Sequence, residues 1–153
     1  MSLSKLFIST VILTAIATTT VSSPAHASRN SQLTVQVTGL RDQRGQVCLS
    51  LFANPDGFPG DGSKAVQSRC VPITTSTVSV TFEQLSPGSY AVAILHDANR
   101  DAQANRNFLG IPIEGFGFSR NPTIRMGPPG FEEAAVQVSG SAANIQVRMN
   151  YLR

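Results

Sequence analysis

Short runs in which apolar and polar residues alternate, each ended by turn residues, constrain this chain most. In "LTVQVTGL", Leu33, Val35 and Val37 alternate with Thr34, Gln36 and Thr38. A period of two puts one apolar row on one face of a half-buried strand. "QVCLSLF" repeats the pattern with Val47, Leu49 and Leu51, "KAVQSRCVPI" reads as a further strand, and "TVSVTFEQL" carries Val78, Val80 and Phe82. "SYAVAILHD" is apolar on both faces, as a central strand covered on both sides should be. "EEAAVQVSG" ends in Val136 and Val138, and "NIQVRMNYL" aligns Ile145, Val147, Met149 and Tyr151. No window of ten or more residues has a helical period. A short helical turn at "FEEAA", with Glu132 and Glu133 near its N-terminus, is the one local candidate. About seven strands joined by turn residues predict an all-β fold, an antiparallel β-sandwich with Greek-key, immunoglobulin-like connections and one long ordered loop.

The first residues are set apart from the fold. Lys5, the apolar run "LFISTVILTAIATTTV" and the small-x-small site Ala25-His26-Ala27 describe a secretory signal peptide over 1–27. Cleavage there leaves a single domain over 28–153 with no membrane anchor, in the periplasm or outside the cell. The run is short and threonine-rich for a transmembrane span. Without Lys5 the chain has eleven Lys and Arg against nine Asp and Glu. These charges are scattered, a distribution that does not suit a nucleic-acid surface. Cys48 and Cys70 form an even pair, most simply a disulfide in an oxidising compartment. A metal pair needs further ligands, and His96 is the only histidine after the leader.

One segment resists the strand reading. "HDANRDAQANRNFLGIPIEGFGFSRNPTIRMGPPGFEEAA", residues 96–135, is long for a connection in a compact domain. Phe108, Leu109, Ile111, Phe116, Phe118 and Phe131 are expected to fold it back onto the sandwich. Asp97, Asn99 and Asp101 have the D-x-N-x-D spacing that opens calcium loops, where carboxylate and amide oxygens converge on the ion. Against an EF-hand, the sixth position is Ala102 instead of glycine and the twelfth is Phe108 instead of glutamate. The competing reading is an Asx-rich turn whose side chains cap local backbone. The turn is the leading expectation; a bound calcium held by Asp97, Asn99 and Asp101, with Glu114 in reserve, is the alternative. No other cofactor is expected.

Nucleophilic catalysis has little to stand on. No G-x-S-x-G elbow is present and the cysteines are expected to pair. His96 and Asp97 are adjacent, so along a strand they point to opposite faces. A hydrolase-like pairing of His96 with Glu114 requires the long segment to fold back.

The strings "GSYAVAILHDANRDAQANRNFLGIPIEGFGFSRN" and "GPPGFEEAA" resemble a bacterial exported family, domain of unknown function 2141. Its members carry a strand ending in His-Asp, an Asn-rich loop, G-I-P, E-G-[YF]-G-F-S and G-P-P-x-F-x-x-A. The resemblance covers Leu33 to Tyr151. It implies a single-domain sandwich, reminiscent of transthyretin-like folds, and carries no activity with it. The family loop reads closer to D-x-N-x-N-G-K-x-D, whereas Asp101 and Ala102 stand at the Asn-Gly here. The expected function is therefore an exported, non-enzymatic binding or accessory module for an unknown protein, small-molecule or glycan ligand. Its ligand-binding candidates are His96, Asp97, Asn107, Glu114, Phe116, Phe118 and Arg120.

Overall fold

In a computed structural model, eight strands form two facing sheets over the described residues 31–152. The proposed leader, 1–27, lies outside the described residues. Strands β1 (Ser31–Thr38), β4 (Val78–Leu85) and β8 (Ala142–Arg148) make a sheet of order β4-β1-β8. Strands β2 (Gln46–Phe52), β3 (Gln67–Pro72), β5 (Gly88–Asp97) and β6 (Gly115–Phe118) make the other, of order β3-β2-β5-β6. The short β7 (Val136–Val138) pairs with the start of β5, Gly88 opposite Val138. The strand pairs are antiparallel except β1 with β8, which run parallel with Val35 beside Ile145.

The alternating rows meet between the sheets. Leu33, Val35, Val37, Phe82 and Val147 come from one sheet and Val47, Leu49, Leu51 and Val92 from the other, all fully buried in one core. Removing these side chains from water is the main favourable contribution to folding.

The second sheet is also covered on its other face. Phe52, Ala91, Phe118, Phe131 and Ala134 form a separate buried cluster, with Phe58, Phe116 and Ile124 packed against it. Helix α1 (Phe131–Ala134) supplies Phe131 and Ala134, and the Gly130 N–H donates to the Glu133 carboxylate at its start. This two-sided covering explains why β5 lacks a polar row. Ser119, fully buried, accepts the Val92 N–H and donates to the Ala134 carbonyl, tying the end of β6 to β5 and α1.

Cys48 and Cys70 stand opposite each other in the β2–β3 register and form a disulfide. With 22 residues of separation, the link stabilises the domain by about 3 kcal/mol through loop-closure entropy.

The long segment differs from its expected form. It contains a strand, β6, and the helix α1, so it is several short connections instead of one loop. Of its apolar residues, Phe116, Phe118 and Phe131 pack on the sheet as expected. Phe108, Leu109 and Ile111 do not: they are 94%, 66% and 37% exposed. The hairpin between Asn105 and Ile113 carries them away from the sheet.

Candidate functional site

Strand β5 ends in His96 and Asp97, and the β2 register sets Val47 opposite His96 and Gln46 opposite Asp97. Both residues are buried, and their surroundings differ because they lie on opposite faces. His96 Nε2 is 2.9 Å from the Arg44 carbonyl, so it donates, and Nδ1 accepts from the Tyr151 hydroxyl at 2.6 Å. The Tyr151 oxygen in turn accepts the Arg41 N–H, and the Arg41 guanidinium lies 4.6 Å from its ring centre. Burial pushes the Tyr151 phenol above its ordinary value, which keeps it a donor to His96. Every ring nitrogen of His96 is thus used in fastening the chain end and the β1–β2 turn to β5. Glu114 is not among its partners, so the pairing a hydrolase-like site needs is not made.

Asp97 is the hub of the polar loop. Its Oδ1 accepts the N–H groups of Arg100 and Asp101, at 2.6 and 3.2 Å. Its Oδ2 accepts the Ala102 N–H at 2.9 Å and the Gln46 side-chain amide at 2.8 Å. Arg100 and Ala102 have φ of 64° and 58°, the left-handed turn that makes successive N–H groups converge into an anion nest. Burial alone would push the Asp97 carboxyl up. The Gln46 amide and the N–H groups of Ala102, Arg100 and Asp101 outweigh it and hold the carboxyl below its ordinary 3.8.

A second carboxylate repeats the device. Glu114, 8% exposed, accepts the Ala98 and Asn105 N–H groups at 3.1 Å each. The two carboxylates therefore pin both ends of the 98–113 excursion. Asp101 stays on the surface, where the Asn105 and Asn99 side-chain amides and the Gln103 N–H surround its carboxylate. The polarity is opposite to that of a calcium loop: N–H groups point at the oxygens of Asp97 and Asp101, where a calcium loop turns oxygens toward a cation. Among the described residues, no three His, Cys, Asp or Glu side chains are grouped for a metal ion.

Beyond this base the chain makes a tight hairpin. Arg106 pairs with Pro112 in a β-bridge, and the Asn107 N–H donates to the Ile111 carbonyl at 2.9 Å. The Asn107 side-chain oxygen accepts the N–H groups of both Leu109 and Ile111, and its carbonyl accepts that of Gly110, which has φ of 76°. The Arg106 guanidinium donates to the Gly110 carbonyl at 2.9 Å. Asn107 is therefore the internal scaffold of a turn whose apex is Phe108 and Leu109.

The remaining candidates lie apart from this hairpin. Phe116 and Phe118 belong to the second apolar cluster. Arg120 is exposed, with φ of 64° and a bond from its guanidinium to the Glu132 carbonyl at 3.3 Å. His96, Asp97 and Glu114 spend their polar atoms within the fold, and the seven ligand candidates do not line one cavity. Two shallow surface depressions, of about 450 and 240 Å³, lie beside β3 and β4 and contain none of these residues. The sequence reading missed Gln46, Tyr151 and Gly45. Gly45, at φ 75°, lets the β1–β2 turn approach the Asp97 backbone so closely that a Cβ would collide with it. The "RG" before β2 was a visible turn signal, but nothing in the sequence pairs Tyr151 with His96.

Fold and loop together define a small β-sandwich module that carries an internally hydrogen-bonded hairpin, anchored by two buried carboxylates, at the end of its central strand. The family model described as "Uncharacterized protein conserved in bacteria (DUF2141)" matches residues 35–146, well over half of the chain, and the protein belongs to that family. No curated protein and no solved structure matches it.

Proposed function

We propose that the protein is an exported, non-enzymatic binding module whose recognition surface is the 105–113 hairpin. One observation carries this reading: Phe108, Leu109, Ile111 and Ile113 are 94%, 66%, 37% and 54% exposed on a turn held by its own hydrogen bonds. Contiguous apolar surface on an ordered scaffold marks an interaction site, and a preorganised loop loses little entropy on binding. The groups suited to acid–base chemistry, His96, Asp97 and Glu114, are buried and bonded within the fold, which favours binding over catalysis. The disulfide supports an oxidising compartment, in keeping with the leader-like first 27 residues. Among the described residues no helix is long and apolar enough to cross a membrane.

The test is retention of the purified mature chain on a bacterial envelope extract. Wild type is compared with a Phe108→Ser, Leu109→Ser double variant, and unfolding curves confirm that both are folded. Wild-type retention with loss in the double variant supports the hairpin as recognition surface. Equal retention of the two proteins removes it.

A further inference from the structure

We infer that the protein forms a two-fold dimer in which β4 pairs, antiparallel and edge to edge, with β4 of a second copy. This contact is independent of the hairpin. The bonding of β1 fixes which backbone groups of β4 are free. The Gln32 N–H donates to the Ser141 carbonyl and the Thr38 carbonyl accepts the Met149 N–H, both toward the β8 side. The N–H and C=O of one strand residue share a side, and that side alternates along the strand. Gln32, Thr34, Gln36 and Thr38 therefore bond toward β8, and Leu33, Val35 and Val37 toward β4. Their partners Phe82, Val80 and Val78 spend their groups on β1. Ser79 and Thr81 are left facing outward, and among the described residues no strand pairs with them.

The other edges are occupied or guarded. On β8, the Asn121 side chain accepts the Arg148 N–H and donates to the Gln146 carbonyl. On β6, Phe116 exchanges both backbone bonds with Asn150. Strand β3 carries Arg69 and ends in Pro72, residue types that discourage strand addition. Over Val78–Phe82, β4 has no proline and no charge. Beyond Phe82 the β1–β4 register slips, Gln84 has φ of 56°, and the Gln67 side chain holds the Glu83 carbonyl at 2.8 Å. A bulge of this kind ends pairing, so the open window is 78–82.

A second copy fits that window. Pairing about Val80 sets Ser79 opposite Thr81 of the second copy, each N–H donating to the other's carbonyl, and the two-fold axis repeats the pair. Val78 meets Phe82, and no like charges face each other within the window. A foreign strand would be selected by pockets for its alternate side chains. Both surface depressions lie past the window instead, beside Glu83, Gln84 and Leu85. The two three-stranded sheets join into one continuous sheet across the dimer.

The experiment is sedimentation equilibrium of the mature chain from micromolar to millimolar concentration, with hydrogen exchange followed at both extremes. Mass should rise from monomer to dimer and stop there, because the pairing uses up the edge. The Ser79 and Thr81 amides should exchange freely when dilute and slow by at least about tenfold when concentrated. Ser79→Pro removes an N–H that faces solvent in the monomer. Its unfolding midpoint should therefore hold while dimerisation weakens by at least about tenfold. A chain that stays monomeric throughout, amides that do not slow as mass rises, or a dimer unaffected by Ser79→Pro overturns the assignment. So does a dimer lost in the Phe108→Ser, Leu109→Ser variant, which would place the contact at the hairpin. Should Ser79→Pro fail to fold, exchange at the two wild-type amides decides alone.

Discussion

At the scale of single residues, Asp97 organises more of this molecule than any other polar group. Its two oxygens gather three backbone N–H groups and the Gln46 amide in a fully buried position. Asp97→Asn keeps the shape but turns an amide NH2 toward those donors. Hydrogen bonds to charged groups contribute about 1.5–3 kcal/mol each, and the substitution should cost on the order of 3 kcal/mol in denaturant unfolding. The folded carboxyl titrates below its ordinary 3.8, so the unfolded chain takes up the proton first as pH falls. Its stabilisation is complete above that value and drains away as pH drops through the folded pKa. Unfolding curves from about pH 6 to about pH 2 should show a shallower acid limb in the Asn variant than in wild type. Equal limbs would place the acid sensitivity elsewhere. The D-x-N-x-D spacing made Asp97 visible in the sequence but left its partner ambiguous. Alternating oxygens suit an ion or a turn; Ala102 and Phe108 at the diagnostic positions favoured the turn, and the φ of Arg100 and Ala102 shows how it is made.

Among the elements, the 97–114 excursion separates into parts with different tasks. The base is closed by two carboxylates, the tip is scaffolded by Asn107, and β6 with α1 returns the chain to the sheet. Donors already occupy the carboxylate oxygens, so millimolar calcium and a chelator should give the same melting midpoint. A rise with calcium, by mass action, would show that the Asp97 loop inverts to present its oxygens. The strands β1, β2 and β4 were legible because their apolar rows alternate cleanly, and β5 because it is apolar on both faces between turn signals. β6 was not, since in Gly115-Phe116-Gly117-Phe118 one face has no side chains to register as a pattern. The exposure of Phe108 and Leu109 was also hidden. Sequence shows that a residue is apolar, and only the hairpin geometry shows that it points away from the core.

At the scale of the whole molecule, the two sheets join where β6 meets the chain end. Met149 N–H bonds to Thr38 in one sheet, while Asn150 and Phe116 exchange both backbone bonds in the other. That approach is possible because Gly115 and Gly117 carry no side chain. A Cβ at Gly115 would stand 2.2 Å from Tyr151 Cε1, and one at Gly117 would stand 3.0 Å from Val147 Cγ1. Gly115→Ala should therefore destabilise the domain by roughly 1–3 kcal/mol through overpacking. In a Tyr151→Ala background the same change should cost far less, a coupling that a four-protein denaturation cycle measures. Additive costs would show that the ring is not what the glycine accommodates. The sequence by itself determined the all-β class, the apolar rows of the core and the cysteines available to pair, because alternation and composition act locally and need no knowledge of neighbours. Only the tertiary structure decided that His96 holds the chain end, that Asp97 gathers amides, and that the 96–135 segment both packs on the sheet and raises an apolar tip. Those outcomes depend on which distant groups meet, and a pattern of period two specifies a face without specifying what lies across it.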